Sequence, residues 1–211
     1  MKDFTSKSFE PPFPDESREV VAAEGSLFQL SCLEPDSLPP AKKWWLNIAG
    51  HTISDSGEVK VDDDGRLIID SVKMSQAGNY TCVAENMASK TEETVELIVL
   101  SKPVITLHPS SVTVDENDPS VLTCDYEPRT HFTTVRWRKD GKTMKHDFNE
   151  SPLDRQRIKI FKHNATLLIR STETQDRGEY VCELVTKGFE PVLSQPATIS
   201  VIGEYFWGRG N

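Results

Sequence analysis

Four cysteines set in two matching frames constrain this 211-residue chain more than any other feature. Cys32 and Cys82 are followed by Cys124 and Cys182, and each second cysteine closes a similar string, Gly78-Asn79-Tyr80-Thr81-Cys82 and Gly178-Glu179-Tyr180-Val181-Cys182. Leu67 and Ile69 stand before the first string as Leu167 and Ile169 stand before the second, at a shift of 100 residues. Aligned on the first cysteines, each copy has a tryptophan 13 residues on, Trp45 and Trp137, at a shift of 92. The second copy therefore carries eight extra residues between its Trp and its Leu. Self-similarity of this kind marks repeated structural units. Two copies of one unit fill the chain, and each is long enough to bury its own core.

The local pattern predicts an all-β unit. Short alternating runs such as SLFQLSC, EVKV, RLIIDSV, NYTCVAE and TVELIVL are separated by Gly, Pro, Asp and Ser turn signals. Only SVKMSQAG and STETQDRG, just before each tyrosine, read as helical, about one turn each. In an antiparallel sandwich, cysteines on facing strands meet across the core while a tryptophan between them in sequence packs on the bridge. The expected fold class is all-β, two tandem β-sandwiches.

On these residues the chain resembles a pair of immunoglobulin domains of the intermediate set. The motif residues are Cys32, Trp45, Leu67 and Tyr80-Thr81-Cys82, then Cys124, Trp137, Leu167 and Asp176-Arg177-Gly178-Glu179-Tyr180-Val181-Cys182. Such pairs occur in neural cell adhesion molecules of the neuroglian and contactin kind and in related receptors. The resemblance implies one inter-sheet disulfide per domain, Cys32 with Cys82 and Cys124 with Cys182. It also implies core roles for Trp45 and Trp137, and tyrosine corners at Tyr80 and Tyr180. Bridges closing loops of this size stabilise by about 4 kcal/mol in the chain-entropy model and imply an oxidising compartment. Domain 1 is expected at 11–100 and domain 2 at 101–203, leaving 204–211 a tail without assigned role that includes Tyr205, Phe206 and Trp207. Only Ser101-Lys102-Pro103 separates the strand runs ELIVL and VITL, so an elongated rod is expected. One departure from the motif is Gln76, which stands where the second copy has Asp176.

Composition excludes several functions. The formal charge is −9, with no basic surplus to hold nucleic acid. No apolar run is long enough to span a bilayer, and the first residues lack the apolar stretch of a secretion signal, so a piece without its targeting signal is expected, with Met1 either a true start or the start of an excised ectodomain. His51, His108, His131, His146 and His163 have no ligand or catalytic spacing, and no HExxH, GxSxG, phosphate-binding Gly-rich loop or Cys-x-x-Cys occurs. Neither enzymatic activity, a cofactor nor a metal is expected. Asp62-Asp63-Asp64-Gly65 invites a calcium reading but is more simply a strand-to-strand turn.

Function in such modules sits on exposed faces, which strand parity identifies. With Trp45 and Cys82 inward, Trp44, Leu46 and Val83 point outward together, an apolar patch of the kind that binds proteins. The matching positions in domain 2 are Arg136 and Arg138. They open a stretch, 136–170, with ten Lys/Arg against four Asp/Glu. Its members Lys139, Lys142, Lys145, Arg155, Arg157, Lys159 and Lys162 form a candidate basic edge for a sulfated glycan or an acidic partner. Residues 1–100, by contrast, hold nine Lys/Arg and eighteen Asp/Glu. Sequons at Asn79, Asn149 and Asn164 are candidate N-glycosylation sites on a secreted protein. The expectation is an extracellular or cell-surface recognition module that binds other proteins, homophilically or heterophilically. Its rivals are an intracellular muscle or cytoskeletal spacer and a secreted two-domain ligand-binding protein.

Overall fold

The computed structural model describes residues 19–32, 40–54, 57–144, 157–161 and 163–203. It divides into two units, Met1–Lys102 and Pro103–Asn211.

The first unit has strands β1 (Glu19–Ala23), β2 (Phe28–Ser31), β3 (Lys42–Leu46), β4 (Val59–Val61), β5 (Arg66–Ile69), β6 (Gly78–Glu85) and β7 (Lys90–Leu100). One sheet runs β1-β7-β6-β3, with β1 parallel to β7, and the other runs β2-β5-β4. Alternation decides which side chains face inward. On β5 Leu67 and Ile69 are fully buried, and on β7 buried Val95 and Leu97 alternate with exposed Thr94 and Glu96. Leu67, Ile69 and Leu97 close with Phe28, Trp45, Tyr80 and Cys82 around one core. Full burial of a large apolar side chain contributes about 1.5–3 kcal/mol before the entropy of ordering is counted.

Between β4 and β5 the acidic run serves as a turn. Gly65 takes φ +78, and its N–H donates to Asp62 O at 2.9 Å. The Asp62 carboxylate accepts from the backbone N–H of Arg66 and of Asp64, at 2.8 and 3.1 Å, and from Arg66 Nε at 2.7 Å. Led by the Arg66 amide, these donors hold the Asp62 carboxyl below its ordinary value, with desolvation acting the other way.

The second unit has strands β8 (Val104–Leu107), β9 (Val112–Asp115), β10 (Ser120–Thr123), β11 (Asp125–Glu127), β12 (Thr133–Lys139), β13 (Lys142–Thr143), β14 (Ile158–Phe161), β15 (Thr166–Ile169), β16 (Gly178–Thr186), β17 (Val192–Leu193) and β18 (Ala197–Ile202). One sheet runs β13-β12-β16-β18-β9, with β17 also on β16; a second runs β10-β15-β14, and β11 pairs β8. Its core holds Leu122, Trp137, Leu167, Ile169, Tyr180 and Leu184.

Each unit has the expected bridge. Cys32 bonds Cys82 and Cys124 bonds Cys182, with Cα separations of 5.8 and 6.4 Å, inside the range a disulfide spans. Trp45 lies opposite Cys82 in the register, and Trp137 opposite Cys182. The two helical pieces are single 3₁₀ turns, Met74–Gln76 and Thr174–Asp176. After each, a buried tyrosine reaches back: Tyr80 Oη donates to Gln76 O at 2.9 Å, and Tyr180 Oη to Asp176 O at 2.7 Å. Burial raises the pKa of both phenols; that of Tyr180 is raised further by the charges of Asp176 and Asp140, against which Arg157 acts.

Candidate partner-binding surfaces

On the outer face of the domain 1 sheet, register sets side chains in cross-strand rows. Trp44 on β3 lies opposite Val83 on β6, which lies opposite Glu92 on β7. The next row is Leu46, Thr81 and Thr94, where the two threonine hydroxyls hydrogen-bond at 2.8 Å. The row beyond holds Asn79, Glu96 and Glu19. Thus the fold does bring Trp44, Leu46 and Val83 to one face, as parity predicts. Exposure corrects the third member: Trp44 and Leu46 are half-buried, but Val83 is only 1% exposed. Val83 occupies a central strand between larger cross-strand neighbours, and a short side chain so flanked leaves no surface. Parity overlooked the acidic component of this face, although the alternation Glu92, Thr94, Glu96 in the sequence carried it.

Among the described residues, the domain 2 cations do not form one edge. Arg136 is exposed on β12, opposite Glu183 on β16. Glu183 is 8% exposed, with Arg138 Nη1 3.6 Å from its carboxylate, so a buried negative charge sits under the arginine pair. Arg138 also donates to Gly141 O at 2.6 Å. Lys139 donates to Gln175 O, and its ammonium lies 5.8 Å from the Tyr180 ring centroid. Lys142, on β13, is exposed. Lys159 belongs to the opposite sheet, and Arg157 stands just before its strand β14. Arg157, 12% exposed, pairs with Asp176, lies 3.4 Å from Glu173 and donates to Ser171 O at 3.0 Å, which removes it from any contact surface. Lys159 is half-buried opposite Leu168. Lys145, Arg155, Lys162, Asn149 and the tail 204–211 lie outside the described residues.

Of the sequons, Asn79 is exposed as the second residue of β6, and Asn164 is exposed in the turn between β14 and β15. Thr166 Oγ1 donates to Asn164 O at 3.3 Å. Nδ1 of His108 accepts the Gln195 N–H at 3.0 Å, a structural use of that imidazole. Among the described residues no three His, Cys, Asp or Glu side chains are grouped to hold a metal ion, and no helix is long and apolar enough to cross a membrane.

Comparison with known proteins agrees with this architecture. Residues 11–99 match the immunoglobulin I-set domain family, and residues 102–185 match the immunoglobulin domain family. Contactin-1 of Homo sapiens is 29% identical over 171 residues, 80% of this chain and 16% of contactin-1. The chain thus spans about a sixth of that relative's length. Among solved structures, extracellular domains 3–5 of Drosophila OTK superpose with a TM-score of 0.58 at 24% identity, covering 88% of this chain and 59% of that one. The I67–I69 fragment of the titin I-band superposes with a TM-score of 0.62 at 22% identity, covering 93% and 67%. These structures share the fold, and the fold alone does not choose between an extracellular and a sarcomeric setting. Two matched domain families, two inter-sheet disulfides and two tyrosine corners place the chain in the immunoglobulin superfamily, its first domain in the intermediate set.

Proposed function

We propose that the chain is an extracellular recognition module of a cell-surface adhesion molecule or receptor, binding a protein partner through the outer face of its first domain. The observation that carries this reading is Trp44. A partly exposed tryptophan beside partly exposed Leu46 lies on the solvent side of a disulfide-braced sheet. Partly exposed aromatics on rigid elements are enriched among residues that dominate binding energy. Rows of Thr81 and Thr94, then Glu92 and Glu96, supply a polar surround. Two disulfides and exposed sequons favour the oxidising exterior over the cytosol. The likeness to contactin-1 supports the same setting. In domain 2, Arg136 is an exposed cation of the outer sheet face and makes a smaller, salt-sensitive contact with an acidic partner.

The test is binding of the multimerised chain to the surface of cells that display the partner, with Trp44→Ala beside the wild type. The expected result is a loss of about tenfold or more in affinity, with the denaturation midpoint nearly unchanged. Full binding by Trp44→Ala overturns the reading.

A further inference from the structure

We infer that an N-linked glycan on Asn79 covers the Trp44 and Leu46 face, so that this face is open only in copies that lack the sugar. The inference rests on the export and the contact surface proposed above.

Asn79, Thr81 and Val83 are alternate residues of β6 and share its outward side; Thr81 lies opposite Leu46 and Val83 opposite Trp44. At the rise of a strand, Asn79 is about 7 Å along β6 from the Leu46 row and about 14 Å from the Trp44 row. A branched N-glycan outreaches both spans. Asn79 is exposed while its neighbour Tyr80 is buried, so the amide projects into solvent from a fixed backbone. On the side of β3 the register ends at Leu46, and no β3 residue stands beside Asn79.

The surface around Asn79 also suits a sugar. The residue opens onto a depression of about 430 Å³ lined by Glu19, Glu92, Glu93, Thr94 and Glu96. Carboxylate and threonine oxygens there accept hydrogen bonds from sugar hydroxyls. The depression extends from the Asn79 row to Glu92, which shares a row with Val83 and Trp44. A glycan lying in it stays on the outer face of the sheet, with β6 between it and the β3 residues Leu46 and Trp44, which lie two strand spacings, about 10 Å, from β7. Asn164 offers the contrast: its turn joins β14 and β15 in the second unit, and it shares no strand row with Trp44 or Leu46.

The chemistry is a group transfer in the secretory pathway. The Asn79 amide nitrogen attacks the anomeric carbon of a lipid-diphosphate-linked oligosaccharide, forming a C–N bond. The anomeric C–O bond breaks, the lipid diphosphate leaves with its electron pair, and the amide gives up one proton.

The experiment uses the full chain secreted from eukaryotic cells. Glycopeptide mass spectrometry reads occupancy at Asn79 and Asn164. Hydroxyl-radical footprinting then measures the oxidation rate of Trp44 before and after enzymatic removal of the glycans, with Asn79→Gln and Asn164→Gln in parallel. Asn79 is expected to be occupied, and Trp44 oxidation to rise severalfold on deglycosylation and in Asn79→Gln. No rise is expected from Asn164→Gln alone, and Trp45 and Trp137 should stay unreactive throughout as a check on folding. An unmodified Asn79, or an occupied Asn79 with an unchanged Trp44 rate, overturns the inference. Footprinting needs no partner, so it separates the two readings. Shielding with no effect of Trp44→Ala on binding of the glycan-free chain removes the contact surface and leaves the glycan assignment standing.

Discussion

The two domains solve the same corner with different charges. In domain 2 the end of the 3₁₀ turn is Asp176, which accepts the Glu173 N–H at 2.8 Å and pairs with Arg157 just before β14. In domain 1 Gln76 takes the corresponding place and accepts the Lys73 N–H, also at 2.8 Å. Glu58, just before β4, stands where domain 2 has Arg157, and Lys73 where it has Glu173. Both charges have changed sign together. Glu58 pairs with Lys73, and Gln76 Nε2 lies 3.4 Å from Glu58. The amide of Gln76 caps the turn as the carboxylate does, so what the corner requires is an oxygen for one backbone N–H; the ion pair is an addition. The additions differ in worth. Arg157 and Asp176 side chains are 12% and 6% exposed, whereas Lys73 and Glu58 are 54% and 65%.

That contrast sets the largest expected effect. Arg157→Ala leaves the Asp176 carboxylate buried and unpaired, which costs about 3–5 kcal/mol. Glu58→Ala removes a solvent-exposed pair worth about 0–1 kcal/mol. Hydrogen exchange followed by peptide in the intact chain reads each domain separately. Protection should collapse in domain 2 for the first variant and barely change in domain 1 for the second. Equal losses would show that the buried pair adds nothing beyond the cap.

A second difference lies in the phenols. Tyr80 is raised by burial alone, while Tyr180 also faces Asp176 and Asp140, which oppose a phenolate. A phenol whose folded pKa is raised lends stability that is fully present below the unfolded value, about 10. That stability is lost as pH rises from there toward the folded value. Domain 2 should therefore lose stability more steeply than domain 1 on the alkaline side of pH about 10. Tyr180→Phe should flatten that slope while costing about 1 kcal/mol at neutral pH for the lost bond to Asp176 O. Denaturant midpoints measured across alkaline pH on both proteins test it, and an unchanged slope in Tyr180→Phe assigns the loss to other groups.

The framework was legible because its residues are irreplaceable in kind: Cys, Trp and Tyr at fixed spacing leave little choice of fold. Parity likewise placed Trp44 and Leu46 on the outer face. It failed at Val83, since alternation gives the side of a sheet and says nothing about what the flanking strands lay over it. The described members of the basic edge are divided for a different reason. Counting charges along 136–170 joins Arg136 to Arg157, although β12 and β14 belong to opposite sheets. Pairs such as Arg157 with Asp176, or Glu58 with Lys73, meet through strand order, and no local pattern announces them.

The smallest expected effect concerns the turn before the second core strand. Gly65 has φ +78, and its carbonyl accepts the Trp45 indole N–H at 3.0 Å. Domain 2 has Ala165 in that position at φ +49, fully buried, and its carbonyl takes the Cys124 N–H at 3.3 Å. Trp137 Nε1 is buried without a hydrogen-bond partner among the described residues. A side chain at Gly65 meets only the flexible end of Lys43, with Cε 3.4 Å from the added carbon, so space is not the obstacle. The left-handed backbone is, and Gly65→Ala should destabilise domain 1 by about 1 kcal/mol. Ala165→Gly relieves a similar strain but gives up a buried methyl worth about 0.8 kcal/mol, so its net effect should lie near zero. Denaturant midpoints with peptide-level exchange decide the matter. A Gly65→Ala variant as stable as the wild type would mean that the domain 1 turn had moved to the domain 2 conformation; the signature of that move is faster exchange of the Trp45 indole proton, released from the Gly65 carbonyl.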